Sequence, residues 1–167
     1  AIEQVPMKMK QAFIAAEDDR FYQHAGVDPA ALIRAAVELL QTQKKKQGGS
    51  TITMQVARNF FLSPEKTYER KAKEVLLALI MERELAKEEI LELYVNKIFL
   101  GHRAYGVGAA AQVYYGATLS ELTLAQIATI AGLPKAPSRT NPISNPEASV
   151  ERRKYVLRRM HKLGFIS

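Results

Sequence analysis

Two glutamates stand where a carboxylate could do chemistry: Glu17 in FIAAEDDRFYQH and Glu74 in RKAKEVLLALIM. If the first stretch is helical, Phe13, Glu17 and Phe21 share one stripe, a carboxylate between two aromatics. Desolvation there would raise its pKa and make it a usable base near neutral pH. Glu74 differs. Arg70 and Lys71 precede it by four and three residues, on the same helical face. One greasy carboxylate and one beside cations suggest two roles. The competing reading is a pair of ordinary helix-surface glutamates, because structural ion pairs also perturb pKa.

Further candidates lie between them. The turn GGST, residues 48–51, places two glycines and two hydroxyls before a helix start and can turn backbone N–H groups to an anion. It is not a P-loop, because no Gly-Lys-Ser/Thr follows at the required spacing. Gln55 and Arg58 lie on successive turns of the next helix. Arg58, Lys66, Arg70 and Lys71 bracket the FFLSPE loop, a cationic cluster that could hold a diphosphate. Beside that anion, Glu74 would be repulsive unless it paired with the cations or shared a metal ion. Lys44–Lys46 and Phe60–Leu62 flank the same helix, and basic residues beside aromatics suit a membrane surface. Glu92, Tyr94 and Asn96 form an ExYxN pattern, with Glu92 and Asn96 on one face.

The elements that must position these residues read as helices, with no period-2 run. Pro6 opens a helix expected to reach about Phe21. Asp28-Pro29 is an N-cap and N1 pair for a helix with Ile33, Ala36, Val37 and Leu40 on one face. Ser50 is expected to cap TITMQVARN. FFLSPEK reads as a loop, and Ser63-Pro64 as the start of a long helix to about Leu85. A helix over about 87–97 follows. GHRAYGVG is a glycine-rich turn, AAAQVYY a short helix, and Thr123 a cap for LAQIATIAGL. After the extended PKAPSRTNPISNP, Asn145-Pro146 opens a basic helix whose late cations suit its own dipole. The class is all-α.

Composition is that of an ordinary globular domain, with 47% hydrophobic and 25% charged residues among 167. A net charge of +7 favours an anionic partner. The absence of cysteine excludes disulfides and thiolate metal sites. Three scattered histidines argue against a zinc site. The longest apolar run, Val75 to Met81, is too short to span a bilayer. The chain opens on AIEQVP, without an initiator Met or a signal peptide, which suggests a piece of a longer protein.

Five segments in order, EDDRFYQHAGVD, GGSTITMQVARN, RKAKE, KEEILELYVNKIFLG and RRKYVLRRM, closely resemble the peptidoglycan glycosyltransferase domain of class A penicillin-binding proteins and monofunctional cell-wall glycosyltransferases. Each is weak alone; five in order, over nearly the whole chain, are specific. The resemblance implies a mainly helical, lysozyme-like fold with a larger lobe and a smaller membrane-proximal lobe, residues 1–167 forming one such domain. It implies polymerisation of lipid II into β-1,4-linked glycan with inversion, the growing chain as donor, and release of undecaprenyl diphosphate. By this resemblance Glu17 is the base for the acceptor 4-hydroxyl, and Glu74 orders the cations, directly or through a divalent ion such as Mg2+; no cofactor is obligatory. Arg70 and Lys71 stabilise the leaving diphosphate. Ser50, Thr51, Gln55, Arg58 and Asn59 shape the donor site. Asp18, Phe21, His24 and Gly26 support it, and Glu92, Tyr94 and Asn96 brace it.

Two departures are small. MQVARN stands where the family often reads QQLAKN, and Arg58 keeps the charge of the usual lysine. The transmembrane helix and transpeptidase domain that many members carry lie outside this sequence, so it is expected to be an excised domain. The implied setting is the outer face of the bacterial cytoplasmic membrane, anchored in the full-length protein, with lipid II, the growing glycan, the membrane surface and cell-wall synthesis proteins as partners. One rival is a peptidoglycan hydrolase or lytic transglycosylase, which also uses a lone Glu in a lysozyme-like fold. Cleaving a neutral glycosidic bond needs no diphosphate clamp, and the cluster around Glu74 speaks against it. The other rival is not an enzyme but a module that binds nucleic acid or a membrane surface; the charge is spread rather than striped, no nucleic-acid motif is present, and no nucleic acid is expected as partner.

Overall fold

The computed structural model describes residues 1–44 and 48–167. Regular structure among them is helical: α1 (Met7–Glu17), α2 (Pro29–Thr42), α3 (Ile52–Phe61), α4 (Tyr68–Glu84), α5 (Lys87–Lys97), α6 (Val107–Tyr115), α7 (Leu124–Ala131) and α8 (Pro146–Lys162), with three short 3₁₀ turns. Extended pairing among the described residues is limited to one antiparallel bridge, Phe99 with Tyr105. The all-α expectation holds.

The chain divides into two compact units. The larger comprises Ala1–Asp19 and Leu91–Ser167. Here α1 packs on α7 and α8, and α7 on α8. Its core takes Met9 and Phe13 from α1, Leu91, Tyr94 and Val95 from α5, Ile127 and Ile130 from α7, and Val156 and Met160 from α8. Phe13 meets Tyr94 edge-on, with centroids 5.6 Å apart. Capping is local and strong. Thr123 and Gln126 form a reciprocal box at the start of α7, and the Asn145 side chain accepts from Ala148 N at the start of α8.

The smaller unit is Arg20–Ile90. Its centre is the packing of α3 on α4. Ile52, Met54, Val56 and Ala57 of α3 and Ala78 and Met81 of α4 are buried. Asp28 caps α2 by accepting from the Ala30 and Ala31 N–H groups, as Asp28-Pro29 implies. The apolar face of α2 is not covered: Ile33 is 64% and Leu40 81% exposed.

Four boundaries differ from expectation. The first helix ends at Glu17 rather than near Phe21, and Asp18 leaves helical geometry at φ −160°. Ser50 is not the cap of α3. Thr51 is, because its Oγ1 accepts from Met54 N while donating to the Gly26 carbonyl at 2.6 Å. The long helix α4 starts from Thr67, which caps Arg70 N, and not from Ser63-Pro64. Phe60 and Phe61, expected in a loop, form the last turn of α3.

Candidate active site

Glu17 is the last residue of α1, in the larger unit. Because the helix stops there, Phe21 is not one turn further along its stripe. The partner the structure supplies is a cation: Glu17 Oε1 lies 3.6 Å from Arg152 Nη2, with both side chains largely buried, 14% and 12% exposed. Sequence reasoning missed Arg152. It read α8 as a surface helix serving its own dipole, whereas α8 turns two arginines onto the end of α1. Arg152 reaches Glu17, and two turns later Arg159 donates to the Ala15 carbonyl and, at 2.8 Å, to Asp19. Cations at a helix C-terminus meet its unpaired carbonyls and the negative end of its dipole. The signal was present, because RRKYVLRRM carries arginines at heptad spacing; what they would face was not.

The second centre lies in the smaller unit. Glu74 is fully buried on α4. Three cations surround it: Lys71 Nζ at 3.7 Å, Arg58 Nη1 at 3.8 Å and Arg70 Nε at 3.9 Å. All three are longer than a hydrogen bond, and neither Glu74 oxygen accepts one. Two of the cations are tied elsewhere. Lys71 Nζ donates to Ser50 Oγ at 2.7 Å, and Arg70 Nη1 to the Pro64 carbonyl at 3.1 Å. Freed from capping by Thr51, Ser50 thus joins the cluster. Three positive charges around one carboxylate leave a surplus of about two, and the Lys71 and Arg58 side chains are 47% and 34% exposed. A buried anion that spaces partly exposed cations makes a ready receptor for a polyanion. A resident divalent ion fits this donor set poorly: one carboxylate amid three cations offers too few ligands. Among the described residues no group of three or more His, Cys, Asp or Glu could hold a metal.

The rest of the first motif packs into this unit. Gly26 has φ +102°, and a Cβ there would fall 2.7 Å from the Ala78 carbonyl on α4, so only glycine fits. His24 Nδ1 accepts from Gly26 N. Lys87, also missed in the sequence, donates to the His24 carbonyl and to Glu82, both at 2.7 Å, and sits 4.6 Å over the Phe21 ring. Thr53 donates to the same Glu82 oxygen at 2.8 Å. Phe21, His24 and Gly26 therefore tie the turn after α1 to α4 and α5, a supporting role. Of the remaining candidates, Gln55 is buried and Asn59 exposed on α3; Asp18 is buried beside Glu17. Tyr94 braces Phe13, one turn before Glu17, while Glu92 is half-buried and Asn96 exposed.

The described residues thus form a helical fold with one largely buried carboxylate at a helix end and a fully buried one inside a cationic cluster. The transglycosylase family model matches residues 1–161, and the chain belongs to that family. It is 59% identical over 162 residues to penicillin-binding protein 1A of Pseudomonas aeruginosa, covering 97% of this chain and 20% of that protein. To penicillin-binding protein 1A of Escherichia coli it is 58% identical over 166 residues, covering 99% and 20%. The crystal structure of penicillin-binding protein 1A from Haemophilus influenzae superposes with a TM-score of 0.56 at 33% identity, over 100% of this chain and 15% of that one. The chain thus spans about a fifth of the length of these relatives.

Proposed function

We propose that this domain is a peptidoglycan glycosyltransferase that polymerises lipid II into β-1,4-linked glycan and releases undecaprenyl diphosphate. Glu17 takes the proton of the acceptor 4-hydroxyl. The hydroxyl oxygen bonds to the donor C1 as the C1–O bond to diphosphate breaks, and that electron pair leaves with the diphosphate. Arg58, Arg70 and Lys71 stabilise the charge gathering there, and Ser50 and Glu74 hold those cations apart and in place. Thr51, Gln55 and Asn59 belong to the donor side; Asp18, Phe21, His24, Gly26, Glu92, Tyr94 and Asn96 support the two centres. In this reading the cluster is an all-protein clamp that needs no resident metal.

The observation that carries the proposal is the Glu74 cluster. A hydrolase acting on a neutral glycosidic bond has no use for a surplus of about two positive charges around a buried carboxylate.

We further propose that the smaller unit lies against the outer face of the cytoplasmic membrane, where lipid II resides. Its exposed Ile33, Val37, Leu40, Phe61, Leu76 and Ile80 support this, being too apolar for a surface meant only for water. The Lys44–Lys46 part of that expectation falls largely outside the described residues, since only Lys44 lies within them. No helix among the described residues is long and apolar enough to cross a membrane. Cell-wall synthesis proteins are the partners this setting implies.

The test is direct. Labelled lipid II in detergent, incubated with the domain, should yield polymer digestible by lysozyme. Cleavage of isolated cell wall without polymer from lipid II would overturn the synthase reading and install the lytic one.

A further inference from the structure

We propose that Arg152 is the positioning residue of Glu17: its guanidinium, fixed from other sides, holds the Glu17 carboxylate in one orientation at the end of α1 and keeps it charged until the acceptor proton arrives. The proposal rests on the reading of Glu17 as proton acceptor. Glu17 has three side-chain torsions and sits where the chain leaves helical geometry, so it needs an outside restraint to point one way. Arg152 is restrained independently. Its Nε donates to the Gly132 carbonyl at 3.1 Å, and its guanidinium carbon lies 4.5 Å over the Tyr155 ring.

Gly132 shows how closely that placement is built. Its backbone is at φ −78°, which any residue adopts. Yet a Cβ there would fall 2.7 Å from Arg152 Cγ. The glycine leaves room for the arginine stem. At 3.6 Å from Nη2 to Oε1 the Glu17 contact is electrostatic, and an arginine does not give up a proton under these conditions. Arg152 therefore steers the base and exchanges no proton itself.

Other charged and titratable groups lie near the same end of α1. Asp18 and Asp19 follow in sequence; Arg159 is engaged by Asp19. Tyr155 lies beneath Arg152, and Tyr94 packs on Phe13. Helix α7 carries no titratable side chain.

The test is the pH profile of lipid II polymerisation at low substrate, read beside the carboxyl titration of Glu17 by carbon NMR. In Arg152→Ala the acidic limb should move to higher pH by about 1–3 units, and the Glu17 titration with it, because an opposite charge favours the ionised form. Arg152→Lys should bring the limb back while the plateau stays reduced, since charge is restored without the planar fork. Gly132→Ala keeps every charge and should lower the plateau with a smaller limb shift. Should Arg152→Ala not fold, Arg152→Lys and Gly132→Ala decide by the same criteria. An unmoved limb and an unmoved Glu17 titration in Arg152→Ala, or a full plateau in both other variants, overturns the proposal. Glu17→Gln separates the two readings: if it polymerises like the parent, the base assignment fails; if it is inactive while the Arg152 profiles stay unmoved, only the positioning role fails.

Discussion

Replacing Glu74 by Gln keeps the shape of the side chain and removes one buried charge from among three cations. A unit pair near 4 Å contributes about 4 kcal/mol at an effective dielectric of ~20. The three contacts, at 3.7, 3.8 and 3.9 Å, are not equal. Lys71 and Arg58 are 47% and 34% exposed, so solvent screens them, while Arg70, at 14%, is screened least. Desolvation of the fully buried carboxylate offsets part of the sum. Breaking a buried pair costs about 3–5 kcal/mol where the remaining charge is trapped; two of these cations can reach water, which places the loss near 2–3 kcal/mol. For a chain of this length that lowers Tm by roughly 5–10 °C. Adding inorganic pyrophosphate should then raise Tm more in the variant than in the parent, because the anion replaces the missing counter-charge. The assay is thermal unfolding by circular dichroism with and without pyrophosphate. A Tm within about 1 °C of the parent, or no greater response to pyrophosphate, would refute the view of Glu74 as the hub that spaces the cations.

Other perturbations test separate parts of the account. Gly26→Ala should destabilise the smaller unit by at least ~1–3 kcal/mol from its left-handed backbone alone, measured by chemical denaturation, and its contact with the Ala78 carbonyl adds to that. Leu40→Glu on α2 should weaken binding to anionic lipid vesicles in a flotation assay while leaving Tm unchanged, since Leu40 is 81% exposed. Burial, and then the charge of Tyr115, pushes the Tyr114 hydroxyl up to about 12. A raised folded-state value means its stabilising effect is complete below about pH 10 and fades as pH rises towards about 12. Tyr114→Phe should abolish that part of the alkaline stability loss in a pH series of denaturation curves.

Much of this molecule is legible where the chemistry is local. Asp28-Pro29, Thr123 with Gln126, and Asn145-Pro146 carry their caps in sequence and start their helices where expected. The Arg70–Lys71–Glu74 spacing already implied one helical face. The misread features depend on distant partners. Nothing in AAEDDRFYQH stops a helix after Glu17; Arg159, in α8, takes the Ala15 carbonyl and Asp19 instead. Ser50 and Thr51 are comparable caps by composition. Thr51 prevails because its hydroxyl also reaches the Gly26 carbonyl, 25 positions away, leaving Ser50 to Lys71. Arg152 looked like one of several surface cations until Gly132 and Tyr155 were seen to hold it against Glu17.

The central claim is that the two carboxylates have different tasks, proton transfer at Glu17 and cation spacing at Glu74. Glu17→Gln, assayed in parallel for lipid II polymerisation and for binding of a diphosphate-bearing lipid analogue, tests it most directly. The account predicts a loss of polymerisation of about a hundredfold to ten-thousandfold, the range of general base catalysis, with analogue affinity close to the parent and the fold retained. Polymerisation at the parental rate, or a loss of analogue affinity as large as the loss of rate, would contradict it.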